Sequence, residues 1–411
     1  MSPVFSDTMN ESIPKFSSPL PLVGQPQRYA WGKVGQASRI APFISGVVPE
    51  EPLAEYWLGC HPKAPSEVTL PNGGKCLVSD VLPDADALPF MLKVLSINPD
   101  FGLSIQSHPD RELARQLHAR DPSNYPDPFH KPEVGVALSE VKLLFDIKSA
   151  ADLCGIARIY PELMELLSAE TSSFLSKNVQ QDLSSSRLMR RGFFVDCITA
   201  EPSKVSAVMT RILNRAGSSP EQETREEISI VRRLSQTHGL GDPGLAVSLV
   251  MNLLTLSPGE AIFIGPNVPH AYLDGDLVEC MACSDNVIRA GLTSKFRDVA
   301  TLVETTDYSY SGPPSKAALS PVCPGYDEFS LQLSEFSLGR VSPGSTRVPI
   351  ETEGGFLIVF CVGGDATLSN SINGDRMSLN DGGAVLFPKG VRGWSVSAGT
   401  AQVFVARANK R

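Results

Sequence analysis

Four short stretches hold the side chains that could bind a metal ion or move a proton. In Ser104-Ile-Gln-Ser-His108 the residues at 104, 106 and 108 share one face if the segment is extended, because strand side chains alternate with period two. A hydroxyl, an amide oxygen and an imidazole then point the same way. Lys131 and Glu133 stand two apart ahead of an apolar run and face one side by the same rule. Gly265-Pro-Asn-Val-Pro-His270-Ala-Tyr272 sets a second imidazole at the start of a strand, just after a Pro/Gly turn. Its continuation offers Glu279, Asp285, Arg289 and Lys295 in quick succession among apolar residues. Gln106, His108, Glu133 and His270 together supply an amide oxygen, two imidazoles and a carboxylate, a set that suits Zn²⁺ or, less selectively, Fe²⁺, Mn²⁺ or Co²⁺. Each also has an ordinary alternative: a polar strand face for Gln106 and His108, a surface ion pair for Lys131 with Glu133 and for Arg289. Cys280-Met-Ala-Cys283 has CxxC spacing, but no second pair stands at a suitable distance to complete a structural zinc site.

The elements that must position these groups read as two β-rich blocks around a helical segment. From residue 20 to 110, short apolar runs such as Ala54-Glu-Tyr-Trp-Leu58 and Phe90-Met-Leu-Lys-Val-Leu95 are punctuated by Gly and Pro, the pattern of a sandwich or barrel. Pro109 and Asp110 suit a helix start, with Leu113 and Leu117 as an apolar i, i+4 pair. Between 149 and 241 helix formers dominate, in Ser149 to Ser168, Lys204 to Ala216 and Arg225 to His238. Thr224 with Glu227 reads as a capping box, and Gln181 to Arg187 as a connector. Leu245 to Leu254 fits either a strand or a buried helix by periodicity alone. Leu256-Ser-Pro-Gly-Glu260 turns the chain into the apolar strand Ala261-Ile-Phe-Ile264, and Thr293 to Val303 reads as a capped helix. From about Pro321 the pattern is all-β. Here Gly382-Gly-Ala-Val-Leu-Phe-Pro-Lys-Gly-Val-Arg-Gly393 lines up without gaps on Gly259 to His270, with Gly393 in the place of His270. That echo fits a duplicated barrel, metal-bearing in one copy and bare in the other.

At 411 residues the chain exceeds one ordinary core, so two or three domains are expected. The organisation read from it is a disordered lead-in over 1–18, a metal-binding catalytic domain from 19–148 and 242–320, a helical insertion over 149–241, and a C-terminal barrel over 321–411 without metal. A hydrophobic fraction of 42% with 20% charged residues is that of a soluble globular protein, and no apolar run approaches the roughly 20 residues that cross a bilayer. Eight sparse, irregularly spaced cysteines argue for reduced thiols in a cytoplasm. A formal charge of −9 argues against nucleic acid as a partner, so an anionic small substrate needs a local basic pocket.

Tyr29-Ala-Trp-Gly32, Ala54-Glu-Tyr-Trp-Leu-Gly-Cys-His61, Ser104-Ile-Gln-Ser-His-Pro-Asp110, His130-Lys-Pro-Glu133, Pro269-His-Ala-Tyr272 and Ser284-Asp-Asn-Val-Ile-Arg-Ala-Gly-Leu-Thr-Ser-Lys295 together resemble the type I phosphomannose isomerases of the cupin superfamily. The order and spacing of all six agree, over roughly residues 25–150 and 245–305; Ser107 stands where the family usually has Ala. The resemblance implies a mainly β fold of two cupin-type (jelly-roll) β-barrels plus an α-helical domain, and one Zn²⁺ per chain on Gln106, His108, Glu133 and His270. It also implies Arg289 as an active-site arginine, with Ser104, Lys131, Tyr272, Glu279, Asp285 and Lys295 lining the pocket. The implied reaction interconverts mannose 6-phosphate and fructose 6-phosphate through an enediolate, on a cytoplasmic enzyme expected to be a monomer. For a phosphorylated hexose, Ser104, Lys131, Arg289 and Lys295 are the expected substrate contacts. A metal polarises the carbonyl, and Arg289 and Lys295 offer charge-assisted hydrogen bonds to the phosphate or enediolate. Glu279, Lys131 and a water on the metal all remain open as the base. The rival readings are a non-haem iron cupin oxygenase, whose facial triad leaves several metal positions open, and a non-catalytic sugar-phosphate-binding cupin.

Overall fold

A computed structural model of the chain describes residues 18–44, 50–82, 88–175, 182–309, 312, 314–331, 333–352 and 355–409. The lead-in expected over 1–18 lies, but for residue 18, outside them. The described chain is mostly β, with its longer helices gathered between residues 150 and 250. It forms two compact units, one of Met1–Gln25, Trp57–Leu92 and Leu319–Arg411, the other of Pro26–Tyr56 and Lys93–Ala318. Among the described residues no sheet closes on itself: where the sequence led to an expectation of barrels, the strands form open, largely antiparallel sheets.

In the first unit Phe336–Val341, Gln402–Ala408, Leu357–Val362 and Ala384–Phe387 lie side by side in a nine-stranded sheet. Leu357–Val362 is buried along its whole length, which explains a run without polar alternation. A four-stranded sheet, including Ala366–Asn370 and Trp394–Ala398, alternates buried and half-buried positions and turns Leu368, Trp394 and Val396 into a core shared with Val359, Val385 and Val403. Strand Leu20–Val23 pairs with Ala384–Phe387 and carries Glu67–Thr69 and Lys75–Leu77 at its other edge, so these early strands extend the C-terminal sheet. A four-residue strand with one buried face does not encode which sheet edge it will meet.

The second unit is built on the thirteen-residue strand His270–Ala282. Its first half pairs with Val141–Ile147 and its second with Glu133–Ala137. Gly275 makes the change of partner possible: it stands at φ 108°, and a Cβ there would lie 2.3 Å from the Glu140 carbonyl oxygen. Alternation divides the strand faces. Ile105, Leu144, Ala271, Leu273, Ile288 and Ala290 enter a core with helices Ala150–Ile159, Leu183–Thr199, Pro202–Gly217, Glu226–His238 and Pro243–Val250. Gln106, His270, Tyr272 and Arg289 are the intervening residues and take the opposite face.

Several element boundaries differ from the sequence reading for local reasons. The ambiguous run at 245–254 is both things in turn, the wholly buried helix Pro243–Val250 and then strand Met251–Leu256. The segment read as a connector enters helix Leu183–Thr199 at once, because Asp182 accepts hydrogen bonds from the Ser184 and Ser185 amides. The capping box at Thr224 is not formed: Thr224 Oγ1 donates to the Glu221 carbonyl, and helix Glu226–His238 starts from Arg225 without a side-chain cap. The helix expected from Thr293 begins only at Val299, where Asp298 caps it. Asp110 does cap helix Arg111–Arg120, accepting from the Leu113 amide at 2.8 Å.

Candidate metal centre

Antiparallel pairing lines up the site. His270 is the direct partner of Gln106, and Gln106 of Arg289, so three strands present one side chain each on the same face. Glu133 heads the strand that pairs with the far half of His270–Ala282, and Gly135 lies opposite Glu279. A Cβ at Gly135 would sit 2.3 Å from the Tyr272 hydroxyl, so this glycine makes room for the tyrosine beside the carboxylates. Ser104 Oγ donates to Gln106 Oε1 at 3.2 Å.

His108, Glu133 and His270 converge, with ligand atoms within 4.8 Å of one another and all three side chains buried. Glu133 Oε1 is 3.3 Å from His108 Nε2, and Oε2 is 3.6 Å from His270 Nε2. Each imidazole spends its Nδ1–H on a backbone carbonyl, His108 on Asn286 at 2.8 Å and His270 on Val268 at 3.0 Å. That assigns the tautomer and leaves both Nε2 atoms as buried lone pairs with no hydrogen-bond partner among the described residues. Lone pairs facing a carboxylate at these distances repel one another unless a cation stands between them. Burial, joined by His108, lowers the pKa of His270 to about 4, and burial with Lys131 lowers that of His108, so both rings are neutral at pH 7. For Glu133 burial works upward, but the Lys131 ammonium, at 2.9 Å, holds the carboxyl well below its usual range. Two neutral imidazoles and an ionised carboxylate, oriented by carbonyls, are the donors a divalent transition metal takes.

Around this centre lies a charged shell that the sequence reading missed in part. Lys93 Nζ sits 3.7 Å from Glu55 and 3.6 Å from Glu279, all three buried. Burial would lower the Lys93 pKa, yet Glu55 and Glu279 raise it. Burial, then Glu133, pushes Glu279 up to about 7 against the pull of Lys93. The available signal was one lysine in the middle of Phe90–Ile97, an otherwise uncharged and fully buried strand. Asn286 was also missed: its side-chain amide donates to Asp127 and Phe129 carbonyls, fixing the loop whose backbone receives His108. Burial lowers the Arg289 pKa, opposed by Tyr125 and Asp285. Asp285 is half-buried, with its amide donating to Asp127 at 2.9 Å. Lys295 is exposed, its ammonium 5.7 Å from the Tyr29 ring centroid, so it stands at the margin rather than in the buried cluster.

The strands and this centre define a protein of antiparallel β-sheet backed by helices, with a buried cluster that could hold a metal ion. A family model described as phosphomannose isomerase type I, catalytic domain, matches residues 20–149. Mannose-6-phosphate isomerase of Bos taurus is 34% identical over 397 residues, 89% of this chain and 92% of that protein. A crystal structure of a mutant phosphomannose isomerase from Salmonella typhimurium aligns with a TM-score of 0.79 at 26% identity, covering 96% of this chain and 100% of the other. A crystal structure of mannose 6-phosphate isomerase bound with zinc and yttrium aligns with a TM-score of 0.78 at 25% identity, with the same coverage. The chain belongs to the type I phosphomannose isomerase family.

Proposed function

We propose that this protein interconverts mannose 6-phosphate and fructose 6-phosphate, moving a proton between C1 and C2 of the open-chain sugar through an enediolate. The observation that carries the reading is the convergence of His108, Glu133 and His270, with unpartnered imidazole nitrogens, in a chain of this family. We take zinc, one per chain, as the ion, on the strength of the zinc-bound solved relative and of the donor set. Gln106, the strand partner of His270, is the proposed further ligand. A bound divalent cation supplies Lewis-acid polarisation of the substrate's two oxygens. The chain's own residues do the rest. Ser104, Lys131, Arg289 and Lys295 hold the phosphorylated hexose, Arg289 donating to the oxygens that gain charge in the enediolate. Glu279 or Lys131 carries the proton, and Tyr272 and Asp285 shape the wall beside them. Family membership leaves the iron-oxygenase reading without support.

We read the two β blocks as cupin-type barrels, residues 149–241 as a helical insertion into the catalytic one, and 321–411, with the early strands it takes up, as the block without metal. We expect a monomer, and eight free thiols suit a reducing cytoplasm. No helix among the described residues is long and apolar enough to cross a membrane. The test is conversion of mannose 6-phosphate to fructose 6-phosphate, measured on metal-replete protein with and without chelator. Chelator-sensitive turnover is expected; no turnover by metal-replete protein would overturn the assignment.

A further inference from the structure

Arg190, on helix Leu183–Thr199, is the largest fully buried side chain among the described residues, and the reaction as read above makes no use of it. A buried guanidinium is tolerated only where its donors are met. Here Nη2 donates to Asp146 Oδ1 and to the Ile147 carbonyl, each at 2.8 Å. Nη1 donates to the Tyr308 carbonyl at 2.6 Å, and Nε to that of Lys148 at 3.2 Å. Two short routes lead from these contacts to the metal centre. Asp146 stands at φ 53°, where Val141–Ile147 slips register, and its amide donates to the Pro269 carbonyl at 2.8 Å, one residue before His270. Phe145, beside it, is the strand partner of His270. On the other route, Asp307, adjacent to Tyr308, donates its amide to Asn267 at 3.1 Å, and Asn267 donates to the His108 carbonyl at 2.8 Å. Asn267 is itself at φ 62°. Both routes close on the segment from Asn267 to His270 and on His108.

We infer that Arg190 is a positioning residue for the metal centre: through Asp146 and Tyr308 it fixes the Asn267–His270 segment, and so the separation and aim of His108 and His270. The inference rests on the metal reading above and gives the helical segment a stake in the site. Loss of groups that orient metal ligands typically weakens metal affinity about 10- to 100-fold. The guanidinium serves one carboxylate and three carbonyls at once, so a lysine can replace only part of it.

The test is a titration of metal-stripped full-length protein with Co²⁺ against a chromophoric chelator, together with the visible spectrum of the bound ion. Arg190→Met is expected to weaken Co²⁺ binding about 10- to 100-fold and to shift the spectrum, Asp146→Asn to do so less, and Arg190→Lys to recover part. A purely structural role would lower the unfolding temperature and leave affinity and spectrum unchanged, and that result in Arg190→Met overturns the inference. If Arg190→Met does not fold, wild-type affinity and spectrum in both Arg190→Lys and Asp146→Asn overturn it. Wild-type protein that binds no Co²⁺ sinks the metal reading itself, and the inference with it.

Discussion

Among the described residues Arg289 forms no ion pair, although it is half-buried and burial already lowers its pKa. A surface pair would be worth about 0 to 1 kcal/mol; under the proposed function Arg289, the strand partner of Gln106, instead meets charge that develops during reaction. Removing one such donor typically costs on the order of 100- to 1000-fold in rate. Arg289→Ala should therefore keep its metal and unfolding temperature while losing most of kcat, and Arg289→Lys should recover only part. A raised KM with normal kcat would reduce Arg289 to a phosphate anchor. His108→Ala and His270→Ala, by contrast, remove a donor directly, so metal analysis of either purified variant should show the ion lost; full occupancy would refute the ligand assignment. These residues were legible because period two places 104, 106 and 108, or 131 and 133, on one face within a few positions. Lys93, Glu55 and Asn286 were not, since their partners lie far along the chain and a buried charge declares itself only once both carboxylates are in place.

At the scale of elements, the bent strand His270–Ala282 depends on Gly275. Gly275→Ala puts a Cβ against the Glu140 carbonyl in a left-handed backbone region, a strain on the order of 1 to 3 kcal/mol before any steric relief. Urea unfolding should show a loss of at least that size, and an unchanged midpoint would mean the bend tolerates a side chain. Helix ends have their own electrostatics. Arg215, near the end of Pro202–Gly217, donates to both Glu162 oxygens, at 2.5 and 2.9 Å, and to the Ile159 carbonyl at the end of Ala150–Ile159. Those hydrogen bonds, against the effect of burial, hold the Glu162 carboxyl below its ordinary value. A depressed folded pKa gives stability that is present above the unfolded value, near 4.3 for glutamate, and lost as pH falls through the folded one. Glu162→Gln should thus cost about 1 kcal/mol at pH 7, with the gap to wild type closing below about pH 4; a gap independent of pH would show that charge is not involved. The helical character of 149–241 was plain from composition, whereas the switch from helix to strand at Val250 was not, because a fully buried helix and a buried strand are both uninterrupted apolar runs.

For the whole molecule, the internal echo says more than either block alone. Ala261–Ile264 and Ala384–Phe387 are both four-residue strands, as the aligned sequences require, yet the position matching His270 holds Gly393 at φ 78°. A left-handed backbone there disfavours any side chain, so an imidazole could not be aimed from the second copy as His270 is from the first. Among the described residues His108, Glu133 and His270 are the one His/Cys/Asp/Glu cluster that could hold an ion. Metal binding should accordingly stabilise one unit, by about 4 kcal/mol when free metal exceeds its Kd a thousandfold, and leave the other as it was. Hydrogen exchange followed by mass spectrometry can separate the two. On chelation, deuterium uptake should rise in Ile105–Ser107, Glu133–Ala137, His270–Ala282 and Ile288–Gly291, and stay at its metal-bound level in Phe336–Val341, Leu357–Val362 and Gln402–Ala408. An equal rise in both sets would show that the effect of the metal is not confined to one unit, and an ordered ion within residues 321–411 of a crystal grown in excess zinc would show that the second copy is not bare.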